Sequence, residues 1–277
     1  AVVTAHEHPE IAITNSSVRT ITNSRDVFND PSVAAVIIVT PAHTHFDFAC
    51  QALEAGKHVL IEKPMVMRSM EADLLVKIAA EWKRVCMVSS QYLFNNRIEF
   101  IKSELDAGRL GAITEIVSEH LLSPPREDIN CFYDAAPHPL SIYQYLFSPT
   151  KIVRVSGTAK RIKSAGQDDF LEATVTFDRG PLLTITTSWL GAVKTRRISF
   201  VSDTARITLD ETDMEHPLTI VGGSPVHTPP KSIEEPLAKQ LLHFKKCIET
   251  NTTPLTDVTF GAKITSWLET INAGVTR

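Results

Sequence analysis

Only four cysteines occur in the 277 residues, Cys50, Cys86, Cys131 and Cys247, and none belongs to a Cys-x-x-Cys pair. That scarcity fits neither a disulfide framework nor a zinc knuckle, so no metal site is expected. Charge of one sign is also lacking. The 28 Lys and Arg face 32 Asp and Glu, a formal net charge of −4, which exerts no long-range pull on phosphate backbones or anionic lipid. Neither nucleic acid nor a membrane is an expected partner. Long hydrophobic runs are missing too: the longest, Val33 to Val39, falls far short of the ~20 residues that span a bilayer. The first twenty residues scatter His6, Glu7, His8, Glu10 and Arg19 among apolar ones, with no basic stretch leading into an apolar one. No secretion signal is legible there, and a reducing cytoplasm is the expected compartment.

What is present is an average globular composition, 43% hydrophobic and 22% charged, in a chain long enough for one large domain or two ordinary ones. Ser32 to Thr40 reads SVAAVIIVT, apolar on both faces as in a buried parallel strand, and stops at Pro41. Phe46, Ala49, Ala52 and Leu53 then recur at helical spacing until Gly56, a natural residue just past a helix end. A second strand is expected at His58 to Ile61. Ser69 can cap a helix whose inner face is Ala72, Leu75, Ile78, Ala79 and Trp82, and Val85 to Val88 gives a third strand. Strand and helix alternating in this way predict a βαβαβ unit with a parallel sheet.

The remainder has another grammar. Asn96 to Ala107 reads as an amphipathic helix ending at Gly108. Ala173, Val175 and Phe177 alternate before Asp178-Arg179-Gly180, and Leu183, Ile185, Thr187 and Trp189 alternate after it, which predicts a hairpin. Arg197 to Val201, Ala205 to Leu209 and Leu218 to Val221 supply further strands of a largely antiparallel sheet, and Leu237, Leu241, Phe244 and Ile248 form a helical stripe. The expected fold is a parallel-sheet α/β domain over 1–93, followed by an α+β domain with an open, largely antiparallel sheet over 94–277.

Three clusters stand at the ends of these elements, where open α/β sheets place ligands. Thr40-Pro41-Ala42-His43-Thr44-His45 joins a strand to a helix N-terminus, whose free N–H groups suit a phosphate or ribose hydroxyl; the same residues could be a capped turn with two solvated histidines. Glu62-Lys63-Pro64 ends the next strand, and Lys63 either points into the same crevice, with a lowered pKa, or is solvated. Asp134 and His138 are spaced i, i+4, so the carboxylate can orient the imidazole and stabilise its protonated form. Pro137 places a helix start there, which leaves open a capping role for Asp134.

Together these clusters resemble the glucose-fructose oxidoreductase and inositol dehydrogenase (Gfo/Idh/MocA) family of nicotinamide-dependent enzymes, from about Val18 to the C-terminus. The most specific stretch is DPSVAAVIIVTPAHTHFDFACQALEAGKHVLIEKP, Asp30 to Pro64, and Asn95 to Gly111 looks like the family's linking helix with its Asp-x-Gly-x-Leu-Gly end. The resemblance implies a Rossmann domain, NAD or NADP as cofactor, and hydride transfer from a secondary alcohol of a sugar, polyol or cyclic diol. It implies that Thr40, Pro41, His43, His45, Glu62, Lys63, Pro64 and Gln91 line the cofactor. Lys63 would hydrogen-bond the substrate hydroxyl, His138 would be the base and Asp134 would orient that histidine or the substrate. It further implies a homodimer or homotetramer joined through the open sheet. Tyr92, Arg97, Arg126 and Tyr133 are substrate-contact candidates by location.

The sequence departs from the family in two places. The second Asp that the family carries three residues after the histidine is here Ser141, and no Gly-x-Gly-x-x-Gly occurs anywhere. Ala1 to Ala5 reads as the second Rossmann strand, so the first βα unit is expected to be lacking, with strands two and four facing one another across a gap. NAD and NADP are therefore not distinguished. Both departures keep a second reading open, a catalytically silent relative that senses a sugar or nucleotide.

Overall fold

The structure is a computed structural model that describes residues 2–3, 20–121, 125–163, 166–222 and 235–277. Two short strands, β1 (Val2–Val3) and β2 (Thr20–Ile21), pair in parallel, and Asn23 caps α1 (Ser24–Phe28) by accepting from the Arg25 N–H. The expected βαβαβ unit follows as β3 (Ala35–Ile38), α2 (His45–Glu54), β4 (His58–Ile61), α3 (Ser69–Trp82) and β5 (Cys86–Val88). Its strands form a parallel sheet in the order β3-β4-β5. Gly56 lies just past α2 at φ +74°, a left-handed backbone that costs glycine nothing. Among the described residues no ladder joins β1 to β3, so the parallel strands fall into two sheets. With β3 at the end of its sheet, Ile37 is 52% exposed, which corrects the expectation of a strand covered on both sides.

Two expectations about α3 are also corrected. Ser69 is the first helical residue rather than the cap; its N–H and hydroxyl both go to the Glu269 carboxylate, an anion well placed at a helix N-terminus. Trp82 is 43% exposed, because the helix ends there and Lys83 turns away in a left-handed conformation.

The second half contains α4 (Asn96–Asp106), β6 (Ile113–Leu121), α5 (Cys131–Ala135), α6 (Pro137–Phe147), β7 (Ile152–Lys160), β8 (Phe170–Phe177) and β9 (Leu182–Ser188). It continues with β10 (Thr195–Ser202), β11 (Ala205–Asp210), β12 (Leu218–Gly222), α7 (Pro236–Thr250) and α8 (Val258–Gly274). The strands make one seven-stranded sheet, β12-β11-β10-β6-β9-β8-β7, antiparallel except where β6 meets β9. In the expected hairpin Ala173 faces Ile185 and Val175 faces Leu183. These residues, with Ile116, Ile198, Phe200 and Ile207, form a dry face covered by Leu140, Tyr143, Trp267 and Ile271 of α6 and α8.

Helix α8 was not legible in the sequence, since Gly261, Thr265 and β-branched residues make VTFGAKITSW a poor helix former. Packing on both halves decides it. Gly261 lies against Met65 and Val88, where an added Cβ would stand 2.5 Å from each side chain. In α7 the buried residues are Gln240, Phe244 and Cys247, and Leu237 and Leu241 are exposed, so the predicted leucine stripe is rotated off the core. The cause is polar: Gln240 accepts from the Ser90 N–H at 2.8 Å and donates to Ser89 Oγ at 3.1 Å, satisfying the chain just after β5.

Candidate active site

The carboxyl ends of β3, β4 and β5 present three neighbouring segments. After β3, Thr44 Oγ1 donates to the Pro41 carbonyl at 2.7 Å and lies 2.7 Å from Thr40 Oγ1, closing a tight turn into α2. Thr40, Pro41 and His43 are exposed at this turn. His45 is buried, its ring nitrogens 2.8 Å from the Thr40 carbonyl and 2.9 Å from the Pro64 carbonyl. It ties the two loops together. Its polar atoms are consumed by the backbone, so it shapes the crevice rather than lining it. After β4, the Lys63 N–H and Ser89 Oγ both donate to the Glu62 carboxylate, at 3.1 and 2.7 Å, and the Lys63–Pro64 peptide is cis.

Lys63 reaches across to the second half. Its Nζ donates to Asp134 Oδ1 at 3.0 Å and to the Asp134 carbonyl at 2.7 Å. Arg126 Nη1 approaches the same carboxylate oxygen at 3.2 Å while its other nitrogens bind Asp128, which holds the Asp128 carboxyl below its usual range. Asp134 lies in α5 and Ala136 is the residue that caps α6, with Pro137 in the first turn. The chain therefore breaks between Asp134 and His138, and the capping role is corrected. The orienting role meets the same obstacle: Asp134 is committed to Lys63 and Arg126, and no hydrogen bond joins it to His138 among the described residues.

His138 instead packs between two rings, Tyr92 at 4.6 Å and His120 at 5.9 Å between centroids. Burial lowers its pKa well below the ordinary histidine value, and the charges of Lys63, His120 and Arg196 push the same way. The expected stabilisation of a protonated imidazole is thus overturned; His138 is held neutral, the state a proton acceptor needs. Ser141, at the position of the family's second Asp, donates to the Pro137 carbonyl at 2.6 Å and lies 3.3 Å from Ser90 Oγ, so it knits α6 to the chain after β5.

Of the remaining candidates, Gln91 and Tyr92 open the 3-10 turn Gln91–Phe94, and the Tyr92 hydroxyl donates to Glu211. Burial raises the pKa of that phenol, as it raises that of Glu211, whose proton affinity Tyr92, Arg196 and Arg97 reduce. Arg97 is half-buried at the start of α4. Tyr133 is buried, its phenol pushed up to about 12 by burial, and the charges that act on it are those of Glu269 and Arg277 rather than Lys63. Sequence reasoning missed His120, Arg196 and Glu211. His120 is buried on β6, and burial followed by Arg196 and Lys63 lowers its pKa to about 4. The available signal was the alternation of Ile116, Ser118 and His120 along one strand face.

Among the described residues no group of three or more His, Cys, Asp or Glu is arranged to hold a metal ion, and no helix is long and apolar enough to cross a membrane. Comparison with known proteins decides the family. Residues 1–90 match the model of an oxidoreductase family with an NAD-binding Rossmann fold, and residues 98–208 match the GFO/IDH/MocA C-terminal domain. The chain belongs to the Gfo/Idh/MocA oxidoreductase family. It is 29% identical over 151 residues to scyllo-inositol 2-dehydrogenase (NAD(+)) of Bacillus subtilis strain 168, covering 52% of this chain and 44% of that relative. A further relative in that organism is scyllo-inositol 2-dehydrogenase (NADP(+)) IolW, 29% identical over 170 residues, 58% of this chain and 47% of that relative. The chain thus spans about half the length of the curated relatives it matches.

Solved structures share the fold. An inositol dehydrogenase homolog from Azotobacter vinelandii complexed with NADH and myo-inositol superposes with a TM-score of 0.74 at 19% identity, over 90% of this chain and 79% of that one. Aldose-aldose oxidoreductase from Caulobacter crescentus, complexed with glycerol, reaches 0.81 at 19% identity, over 92% and 81%. The family resemblance and the fold expected from the sequence, parallel strands followed by a largely antiparallel sheet, are therefore established.

Proposed function

We propose that this family member is an NAD(P)-dependent dehydrogenase that oxidises a secondary alcohol of a sugar, polyol or cyclic diol, or reduces the matching ketone. The observation that carries the reading is the pairing of opposites across the crevice: an ammonium, Lys63, facing a neutral, desolvated imidazole, His138. Lys63 Nζ has three N–H groups. Two are taken by the Asp134 carboxylate and carbonyl, which fixes the ammonium and leaves the third for a substrate hydroxyl oxygen. His138 accepts the hydroxyl proton as the carbinol C–H leaves with its electron pair, giving a ketone and an imidazolium. When bound, the nicotinamide supplies the hydride acceptor at C4. The protein's part is alignment and charge: the Thr40–Pro41 and Glu62–Pro64 segments frame the nicotinamide end, and Lys63 stabilises negative charge developing on oxygen.

In this reading residues 1–93 hold the dinucleotide and 94–277 the substrate, in a cytoplasmic protein. The exposed side of the seven-stranded sheet, where Thr174, Thr176, Thr184 and Thr186 lie, joins two or four copies. Light scattering at micromolar concentration checks that assembly, and a monomeric mass rejects it. The reaction itself is tested by following reduced-nicotinamide absorbance with a panel of sugars and polyols and each cofactor. Turnover with a neutral or acidic polyol supports a dehydrogenase; sugar or nucleotide binding without turnover supports the silent sensor.

A further inference from the structure

Among the described residues, one arginine without an ion pair lies close enough to His138 for its charge to act on it. Arg196 of β10 is the direct cross-strand partner of His120 of β6, and the next pairs on that face, Ile198 with Ser118 and Phe200 with Ile116, are buried. Arg196 therefore projects toward the helix-covered side of the sheet, where it is half-buried. Among the described residues its guanidinium makes no hydrogen bond and no ion pair within 4.0 Å. The charge of Arg196 reduces the proton affinity of Glu211, and that carboxylate already accepts from the Tyr92 hydroxyl.

His120 adds an independent observation. Its Nδ1 lies 3.2 Å from Ser118 Oγ, but its Nε2 is buried with no partner. An unpaired buried ring nitrogen is costly and in native proteins marks a site awaiting a partner. Both residues, with Tyr92 and Glu211, line one narrow surface cleft, and Pro139 in its wall adjoins His138.

We propose that Arg196 and His120 form a carboxylate subsite, so that the substrate of the dehydrogenase is a sugar acid or polyol acid. The inference rests on the proposed reaction for its reacting carbinol, but not for the acid group. A guanidinium offers a planar fork of donors that matches the two oxygens of a carboxylate, and in the tautomer whose Nδ1 accepts from Ser118 the neutral His120 presents Nε2–H as a further donor. Glu211 in the same cleft opposes a second negative charge, which favours a monoanionic carboxylate over a phosphate dianion.

The test is calorimetric titration of the whole chain with D-glucuronate, D-galacturonate and D-gluconate against D-glucose, D-galactose and D-glucitol, with inorganic phosphate as a third arm. The acids are expected to bind at least tenfold more tightly than their neutral counterparts. In Arg196→Gln that ratio falls to about one; Arg196→Lys keeps part of it, and His120→Asn lowers it. Equal binding of acids and neutral sugars, absence of acid binding, or a preference that survives in Arg196→Gln overturns the subsite. Phosphate binding more tightly than any acid overturns its assignment to a carboxylate. Turnover is scored separately: neutral polyols oxidised with no preference for acids leave the dehydrogenase standing without the subsite. Arg196-dependent acid binding without turnover leaves the subsite standing without the dehydrogenase.

Discussion

The charges around Lys63 are paired with one another, whereas His138 lies between two rings with an unpaired arginine, Arg196, nearby. Lys63, Asp134, Arg126 and Asp128 form a chain of ion pairs at the edge of the crevice, with Asp134 gripped from two sides. Farther along the crevice, Tyr92 packs at a tilt against His138 and His120 stacks on it, and burial favours the neutral form of both imidazoles. The difference lies in where the groups are anchored. Lys63 and Arg126 project from loops that water still reaches, while His120 comes from a central strand and His138 from the first turn of a helix laid over that strand. A fixed cation and a neutral acceptor can then coexist in one cleft, the division of labour that proton abstraction with charge stabilisation demands.

The sharpest way to break this comparison is to delete the neutral side. His138→Ala is expected to lower the turnover rate by roughly 10²–10⁴-fold, the usual worth of a positioned acid-base group, with little change in cofactor affinity. Single-turnover kinetics beside a cofactor titration measures both, and a variant at full rate removes His138 as the base.

Acidification probes the same side through stability. A histidine whose folded pKa lies below its unfolded value binds fewer protons folded than unfolded between the two. Its contribution is therefore intact above pH 6.5 and is lost as pH falls toward the folded value. For His120, between the ordinary histidine value of 6.5 and about 4, the loss approaches roughly 3 kcal/mol. Urea unfolding at a series of pH values is expected to show this slope, flattened in His120→Gln; an unchanged slope in the variant rejects a neutral buried His120.

On the charged side, Asp134→Asn leaves Lys63 and Arg126 without their shared anion. With the Asp134 side chain 11% exposed, a loss of about 2 kcal/mol in unfolding free energy is expected from denaturant titration, less than for a fully buried pair. The smallest effect is expected for Arg126→Gln, below about 1 kcal/mol, since its side chain is 46% exposed and solvent screens the pair. If Arg126→Gln costs more than Asp134→Asn, the charged side is organised around the arginine and not around Lys63.

Much of the fold was legible because its signals are local. Gly56 and Gly108 ended their helices as read, at φ +74° and +69°, and Asp178-Arg179-Gly180 turned the expected hairpin. Trp82, Leu237 and Leu241 misled because periodicity shows which residues share a face but not what covers it; a helix end exposes one, and a glutamine serving a backbone N–H displaces the others. For the candidate site the sequence offered Lys63, Asp134 and His138 as three points, but not their partners. Asp134 pairs with Lys63 across 71 residues rather than with His138 four residues away.

By itself the sequence determined the family, the two kinds of sheet and the residue types gathered at the strand ends, because turn residues, apolar alternation and motif spacing are written along the chain. Only the tertiary structure decided which charges meet and which histidines stay neutral. Those outcomes depend on burial and on distances between strands remote in sequence, as where β10 sets Arg196 beside His120.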